Sequence, residues 1–249
     1  MFQEERLYKI LELLEEKQRM TTNDIVEVFG VSRDTARRDI VRLTKEGSVL
    51  RTHGGITLPK KRRIAEYYEL RINDKVEEKQ RIAKAAAKLI HSEDVCYFEA
   101  STAVLQLCYV CPLDIEVFSN SLNNVAVLDQ RECPVHIIGG KLNHENKFIY
   151  GYEALEQIER THYDIAFLGA DGIMQDGIYS YKQEDAAMKR SITRNADKIY
   201  LLTVHSKFFE KRNYKCCSLE QIDGIITDKS PGEEIEEMLK NAGVQLILV

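Results

Sequence analysis

Residues 31–56 constrain the fold of this chain more than any other segment. Ala36, Ile40 and Leu43 recur at helical spacing, so they predict a helix with one apolar face. The faces left exposed carry four arginines in i, i+4 pairs, Arg33 with Arg37 and Arg38 with Arg42. Arginine side chains reach phosphates and guanine edges, so this helix indicates nucleic acid as a partner. The alternative is a solvated amphipathic helix whose arginines only keep it soluble.

Two further helices precede this one. Leucine and isoleucine at i, i+3, i+4 and i+7 spacing predict a first amphipathic helix over residues 4–17. Thr21 or Thr22 can cap a second short helix, because a hydroxyl there accepts an orphan backbone N–H. Gly30 then supplies a tight turn into the third helix.

A short hairpin follows the third helix. Ser32 is predicted to cap that helix and Gly47 to end it, in the usual C-terminal place for glycine. Residues 49–51 predict a strand that returns through Gly54 and Gly55. Three helices and a hairpin in this order predict a winged helix-turn-helix, with the hairpin as its wing.

Charge is divided unevenly along the chain. The whole chain has 35 Lys+Arg and 40 Asp+Glu, for a formal net charge of −5. Residues 1–63 carry 14 basic and 10 acidic side chains, whereas residues 64–249 carry 21 and 30. An acidic C-terminal part would repel DNA, so this charge distribution favours docking of DNA only at the basic N-terminal segment. The basic run at residues 60–63 is predicted to be either a phosphate-touching hinge or a solvated linker.

The length of the chain predicts a second domain. At 249 residues and 44% hydrophobic content, the chain exceeds one winged-helix unit of about 60 residues. We expect a DNA-binding domain at 1–58, a basic linker at 59–75 and a second domain at 76–249. No stretch approaches the roughly 18 apolar residues of a membrane span, and the N-terminus lacks a signal-peptide core. We therefore expect a cytoplasmic protein that does not contact a membrane.

The six cysteines lack the regular spacing of a secreted disulfide scaffold, so reduced thiols are expected. Cys108 and Cys111 form C-x-x-C, the spacing of many zinc and redox sites, but no second such pair follows. Packing cysteines are the favoured interpretation, and a redox switch or a metal site is the alternative. We predict no metal site and no cofactor.

The remainder of the chain alternates helical and strand patterns. Strands are predicted at 95–98, 115–118, 135–138, 165–168, 199–202, 225–226 and 245–249. Helices are predicted at 77–90, from 102, at 122–128, 183–195 and 233–242. Buried strands that alternate with helices predict an α/β domain with a mostly parallel sheet covered on both faces.

Short polar loops follow several of these strands. In a parallel sheet, ligands bind outside the carboxyl ends of the strands, so these loops locate a candidate pocket. The loops are 99–103, 119–121, 139–141, 169–172 and 203–207. Their hydroxyl and N–H groups, with Asp171 and Lys207, would suit a small phosphorylated polyol. The alternative for any single loop is a helix cap or a turn.

The motif V-S-x-x-T-x-R-R-D, followed by G-x-x-x-R-x-H-G-G, resembles the DeoR family of bacterial transcriptional regulators. In that family the third helix enters the major groove and the Arg-x-His-Gly-Gly segment forms the wing. The resemblance implies DNA contacts from Ser32, Arg33, Thr35, Arg37, Arg38, Arg51 and His53, and the helical spacing adds Arg42.

Residues 76–228 resemble the DeoR effector domain, which is similar to the ribose-5-phosphate isomerase fold and senses sugar phosphates or related metabolites. Glu99, Ser101, Ala103 and Val204 stand where the family has aspartate, glycine, threonine and aspartate. Because these changes add a Cβ and remove an acceptor, we predict weak binding of ordinary monosaccharide phosphates. The candidate ligand-binding residues are Glu99, Ser101, Thr102, Asn120, Ser121, Gly139, Gly140, Asp171, Asp185, Lys189 and Lys207.

The resemblance implies a sequence-specific DNA-binding regulator, a repressor of a carbohydrate-related operon that a phosphorylated sugar or related metabolite controls. Its expected partners are double-stranded operator DNA and a small anionic metabolite. A dimer or tetramer is expected because one recognition helix reads too few base pairs to define a genomic site. Two alternatives stay open: a second domain that only oligomerises, or an isomerase-like enzyme with Glu99, Asp171 or Asp185 as its base. Catalysis is not expected, because a sensor must release its ligand unchanged.

Overall fold

A computed structural model describes residues 3–17, 19–45, 48–52, 54–58 and 68–249. Gly47, His53 and the basic run at 60–63, for which the sequence predicts roles, lie outside the described residues. The chain forms two compact units, Met1–Glu66 and Tyr67–Val249, which we call unit 1 and unit 2.

Unit 1 is a winged helix-turn-helix, as predicted. Its elements are α1 Gln3–Lys17, β1 Arg19–Thr21, α2 Thr22–Phe29, α3 Arg33–Lys45, β2 Leu50–Thr52 and β3 Gly55–Thr57. The three strands form an antiparallel sheet in the order β1-β3-β2. Strand β1 was not predicted, because three residues between two helices carry no periodicity of their own. Only glycine fits at position 55, since a Cβ there would lie 2.2 Å from the carbonyl oxygen of Met20.

Side-chain caps fix the ends of α2 and α3. The Thr21 hydroxyl accepts the backbone N–H of Asp24, and the Asp24 carboxylate accepts the N–H of Thr21, at 3.1 and 2.7 Å. Gly30 ends α2 in the left-handed region, at φ 61°. The Ser32 hydroxyl accepts the N–H of Thr35 at the start of α3, at 3.2 Å. These contacts confirm the predicted turn between the second and third helices.

The first helix of unit 2 begins at Tyr68. The helices of this unit are α4 Tyr68–Ile72, α5 Val76–Ala87, α6 Thr102–Cys108, α7 Leu122–Gln130, α8 Tyr152–Glu159, α9 Gln183–Ile192 and α10 Glu233–Asn241. Its strands are β4 Val95–Phe98, β5 Glu116–Ser119, β6 Val135–Ile137, β7 Lys141–Asn143, β8 Phe148–Tyr150, β9 Tyr163–Leu168, β10 Gly172–Met174, β11 Gly177–Ser180, β12 Ala196–Leu202, β13 Tyr214–Cys217, β14 Gly224–Thr227 and β15 Gln245–Leu248.

A seven-stranded parallel sheet forms the centre of unit 2, with the order β15-β14-β12-β9-β4-β5-β6. Helices α5, α6 and α7 pack on one face through residues such as Ile82 and Val104. Helices α8, α9 and α10 pack on the other through Ile158, Met188 and Leu239. The predicted parallel sheet with two covered faces is therefore confirmed. Within the ranges described, no helix combines the length and the apolar character that crossing a membrane requires.

Four features of unit 2 differ from the sequence prediction. The hairpin β7-β8 and the antiparallel sheet β10-β11-β13 were not predicted, because strands of three or four residues give little alternation to detect. Helix α8 was also missed. Helix α4 lies within residues 59–75, which were expected to be a linker, and its Tyr68 is buried in the core of unit 2. The chain from Tyr68 onward therefore packs as part of the α/β unit.

The strand order locates a crevice. From β4, the chain adds β5 and β6 on one side of the sheet and β9, β12, β14 and β15 on the other. The direction in which strands are added therefore reverses between β4 and β9. At such a reversal the loops at the carboxyl ends of the two strands diverge to opposite faces of the sheet, and ligands of α/β proteins bind in the crevice between these loops. The loops in question are residues 99–101 and 169–171.

Candidate functional site

The exposed face of α3 carries the predicted arginines. Arg33, Arg37 and Arg38 are exposed, while Ala36 and Ile40 of the same helix are buried in the core of unit 1. Ser32 is exposed and Thr35 partly so, and their hydroxyl oxygens are 2.9 Å apart. Arg51 is exposed on β2. The structure thus leaves all these side chains available to a ligand of unit 1.

Arg42 has a different environment from the other predicted arginines. Its guanidinium donates to the Glu4 carboxylate at 2.6 Å and to the side-chain oxygen of Gln3 at 3.1 Å. At about 100° per residue, position 42 lies at the boundary between the exposed and the buried face of α3. Arg42 therefore links α3 to α1.

A buried ion pair also joins these two helices. Asp39 is fully buried, and its carboxylate accepts hydrogen bonds from Arg6 Nε at 2.6 Å and Arg6 Nη2 at 3.2 Å. Gln3 donates to the same carboxylate at 3.0 Å. No role was predicted for Asp39 from the sequence. The sequence did contain a signal for its buried role, because Asp39 is an acid on the apolar face of a helix, beside Ala36 and Leu43.

In unit 2, a largely buried network of hydrogen-bonded charged side chains lies at the crevice between β4 and β9. Lys189 of α9 donates to Glu99 at 2.9 Å and to Asp185 at 2.7 Å. The side chains of Lys189 and Glu99 are at most 4% exposed, and that of Asp185 is 13% exposed. Glu99 also accepts the backbone N–H of Gly169 at 2.8 Å. The Ser180 hydroxyl donates to Asp185 at 2.5 Å. Three predicted ligand residues are thus joined directly to one another.

Each charged group in this network shifts the pKa values of the others. Burial raises the pKa of Glu99 to about 6, although Lys189 opposes this rise. Burial would also raise the pKa of Asp185, but the attraction of Lys189 prevails and lowers it. Against the effect of burial, Asp185 and Glu99 raise the pKa of Lys189 well above its ordinary value. Lys189 is therefore a permanent cation between two carboxyl groups.

Other predicted ligand residues make structural contacts beside the crevice. Ser101 caps α6 by accepting the N–H of Ala103 at 3.3 Å, and Ser121 caps α7 by accepting that of Asn124. Asn120 donates to the carbonyl of Ile149 at 3.2 Å. The side-chain oxygen of Asn120 is buried and has no hydrogen-bond partner among the described residues. Thr102 is buried as the first residue of α6.

The predicted glycines serve the hairpin β7-β8. The N–H and carbonyl of Gly139 both bind the side chain of Gln157, at 3.0 and 3.3 Å. A Cβ on Gly140 would lie 2.7 Å from the carbonyl oxygen of Tyr150. The backbone of Gly139 is thus already hydrogen-bonded within the protein.

Lys207 interacts electrostatically with a second group of charged side chains. Burial lowers the pKa of Lys207; nearby Asp171 opposes this shift, while Arg71 and Arg212 add to it. Its ammonium group has no hydrogen-bond partner among the residues that the structure describes. Asp171 accepts the N–H of Tyr181 at 3.2 Å. Lys207 and Asp171, which the sequence predicted together at this edge of the sheet, therefore interact electrostatically.

Arg71 and Arg212 were not predicted. Arg71 donates to Asn146 at 3.0 Å, and Arg212 donates to Glu210 at 2.9 Å and stacks 4.1 Å from the ring centre of Tyr181. The Nε groups of both arginines are buried, and neither has a hydrogen-bond acceptor within the described part of the chain. We call Arg71, Lys207 and Arg212 the cation cluster.

Lys79 holds the end of α4 beside the cation cluster. Its ammonium donates to the main-chain carbonyls of Arg71 and Asp74. Burial lowers the pKa of Lys79 to about 8. The sequence did contain a signal for this residue, because Lys79 shares the apolar face of α5 with Ile82, Ala83 and Ala86.

The cysteines are all buried thiols. Burial raises the pKa of Cys108 and of Cys111, whose Sγ lies 3.2 Å from Arg131. Throughout the described ranges, the structure contains no group of three or more His, Cys, Asp or Glu side chains that could hold a metal ion.

Two family models match the chain. The DeoR-like helix-turn-helix domain matches residues 6–62, and the DeoR C terminal sensor domain matches residues 74–229. Among solved structures, ribose 5-phosphate isomerase A from Methanocaldococcus jannaschii covers 53% of this chain and 54% of its own, at 18% identity and a TM-score of 0.39. The Pyrococcus horikoshii translation initiation factor eIF-2B covers 90% of this chain and 82% of its own, at 16% identity and a TM-score of 0.46.

Several relatives that are named as transcriptional repressors align over nearly the whole chain. The transcriptional repressor GlcR of Bacillus subtilis is 38% identical over 100% of this chain and 97% of its own length. The glycerol-3-phosphate regulon repressor of Escherichia coli is 28% identical over the full length of both chains. The lactose phosphotransferase system repressor of Staphylococcus aureus is 27% identical over 93% of this chain and 94% of its own. With a sensor-domain match over more than half of its length and a relative of 38% identity, the chain belongs to the DeoR family of transcriptional regulators.

Proposed function

We propose that this regulator represses a carbohydrate-related operon by binding double-stranded operator DNA through unit 1. A phosphorylated sugar or related anionic metabolite bound to unit 2 releases or repositions it. The printed names of the relatives support this proposal, because they refer to repressors of glycerol-3-phosphate and lactose systems. The observation that carries it is the cation cluster, whose guanidinium groups hold buried N–H donors that find no acceptor in the described part of the chain.

On the DNA side, we propose that α3 enters the major groove and that β2 and β3 form the wing against the backbone. The contacts would come from Ser32, Arg33, Thr35, Arg37, Arg38, Arg51 and His53. Arg42 would support these contacts by holding α3 against α1, since its guanidinium already binds Glu4 and Gln3.

Replacing Arg37 or Arg38 with alanine should weaken operator binding by about 1 to 3 kcal/mol if the side chain contacts a base. Both residues are exposed, so the fold should not change. Fluorescence anisotropy with a site selected from random DNA measures the effect. Arg160→Ala, which removes an exposed arginine of unit 2, is the matched control. Wild-type affinity in both α3 variants would rule out insertion of this face into the groove.

On the effector side, we propose that the cation cluster binds the anionic group. Buried donors without acceptors are rare in native proteins, and a phosphate oxygen would satisfy the Nε of Arg71 and of Arg212. Asp171 interacts electrostatically with Lys207, and the side-chain oxygen of Asn120 has no partner among the described residues, so both are suited to accept hydrogen bonds from sugar hydroxyls. The network of Glu99, Asp185 and Lys189 would hold the surrounding loops, with Ser101, Thr102, Ser121, Gly139 and Gly140 shaping them.

Lys207→Met should weaken binding of the anionic effector by at least tenfold, because a hydrogen bond to a charged group contributes about 1.5 to 3 kcal/mol. Operator affinity without effector should not change. Calorimetry with a panel of pentose and hexose phosphates, plus inorganic phosphate, measures the loss. Lys211→Met, an exposed lysine four positions along the chain, is the control and should bind like the wild type. Equal binding by the Lys207 variant would move the anion site elsewhere.

We propose sensing rather than catalysis for this site. Of the three candidate bases, Glu99 and Asp185 are both engaged by Lys189, and Asp171 accepts the backbone N–H of Tyr181. These contacts disfavour a role as the general base of an isomerase. The buried donors of the cation cluster, which lack acceptors within the described ranges, also favour a ligand site over a domain that only oligomerises. We further propose that the regulator acts in the cytoplasm, where the chromosome lies. A homodimer or homotetramer would bring several recognition helices to repeated half-sites.

A further inference from the structure

An exposed carboxylate lies among the arginines of α3. Asp34 is in the first turn of the helix, beside Arg33 and one turn before Arg37 and Arg38. Arg38 Nε donates to the main-chain oxygen of Asp34, at 3.4 Å, and not to the carboxylate. Within the described residues, the Asp34 carboxylate has neither an ion pair nor a hydrogen bond.

The hydrogen bonds that cap α3 do not involve this carboxylate. The cap of α3 is supplied by Ser32, whose hydroxyl accepts the N–H of Thr35. An acid in the first turn interacts favourably with the helix dipole, but at an exposed site this gain is small and is screened by salt. If α3 docks on DNA, the carboxylate also approaches phosphates of the same sign. A base contact that offsets this repulsion would explain its position.

Base edges in the major groove differ in what they offer a carboxylate. Guanine presents two acceptors and thymine an acceptor beside its methyl group, so both repel it. Adenine presents an amino donor next to the N7 acceptor, whereas cytosine presents its 4-amino donor alone. Cytosine is therefore the base whose edge matches an unpaired carboxylate.

We propose that Asp34 is a specificity-determining residue that accepts a hydrogen bond from the 4-amino group of a cytosine in the operator. This inference rests on the proposed insertion of α3 into the major groove. Asp34 would then act in two ways, since it attracts cytosine and repels guanine or thymine at one base position.

The test begins with selection of binding sites from random DNA by the full-length chain. Wild-type protein should select a cytosine at one position of each half-site, and Asp34→Ala should lose the preference there while keeping it elsewhere. Glu12→Gln, which removes an exposed acid of α1, is the matched control and should select the wild-type sequence. An unchanged sequence preference in Asp34→Ala would overturn the inference.

A base analogue then isolates the hydrogen bond. Replacing that cytosine with 2-pyrimidinone removes only the 4-amino group, so wild-type affinity should fall by about tenfold, while Asp34→Ala should bind both sites equally. Equal loss in both proteins would overturn the inference, because the amino group would then be read by another residue. Failure of the wild type to select any sequence would instead refute the proposed DNA reading by α3. The two failures are therefore distinguishable.

Discussion

Replacing Asp39 with alanine should destabilise unit 1 by about 3 to 5 kcal/mol, because it removes the buried carboxylate that pairs with the largely buried Arg6 guanidinium. Urea unfolding of the full-length chain, followed by a probe in unit 1, measures the loss. Glu4→Ala is the matched control, since it breaks the exposed pair with Arg42 and should cost at most about 1 kcal/mol. A loss below that value in Asp39→Ala would show that the pair is not desolvated.

A double variant separates charge from packing at this position. Arg6→Met combined with Asp39→Leu replaces both charges with apolar groups, and buried pairs replaced in this way often retain their stability. We expect the double variant to regain most of the stability that Asp39→Ala loses. If it does not, the orientation of α3 against α1 depends on the hydrogen bonds themselves.

Lys189→Met should have an effect of similar size in unit 2. The substitution leaves Glu99 and Asp185 buried with no cation between them, which should cost about 3 to 5 kcal/mol near neutral pH. Lys198→Met, which removes an exposed lysine paired with Asp223, is the matched control and should have little effect.

The effect of Lys189→Met should depend on pH in a defined direction. Burial already raises the pKa of Glu99 to about 6 in the presence of Lys189, and loss of the cation should raise it further. A carboxyl group whose pKa is raised in the folded state stabilises that state at low pH, and this stability is lost as the pH rises through the folded-state pKa. Urea unfolding should therefore show a smaller loss at pH 5 than at pH 8. A larger loss at pH 5 would contradict the account.

Much of the architecture could be predicted from the sequence because its elements carry strong periodicity. The buried stripe of α3, the caps at Thr21 and Ser32 and the core strands of the parallel sheet are all local patterns. The loops after β4 and β9 were likewise predicted as neighbours, because the carboxyl ends of parallel strands meet at one edge.

The parts of the site that were not predicted depend on tertiary contacts. Nothing local to Glu99 reveals that Lys189, ninety positions later, occupies its carboxylate. Arg71 lies in a segment that was expected to be a linker, and Arg212 lies in a loop without periodicity. Lys79 and Asp39 could have been recognised as charged residues on apolar helix faces, which is a local signal.

The most direct test of the account is the affinity of the full-length chain for a selected operator, measured by anisotropy with and without a sugar phosphate that calorimetry has shown to bind. Coupling between two sites typically changes affinity by about 5- to 150-fold. We predict a change in this range for the wild type and for Lys211→Met, and no change for Lys207→Met at the same effector concentration. Operator affinity that is the same with and without a bound sugar phosphate, or a full response in Lys207→Met, would contradict the account.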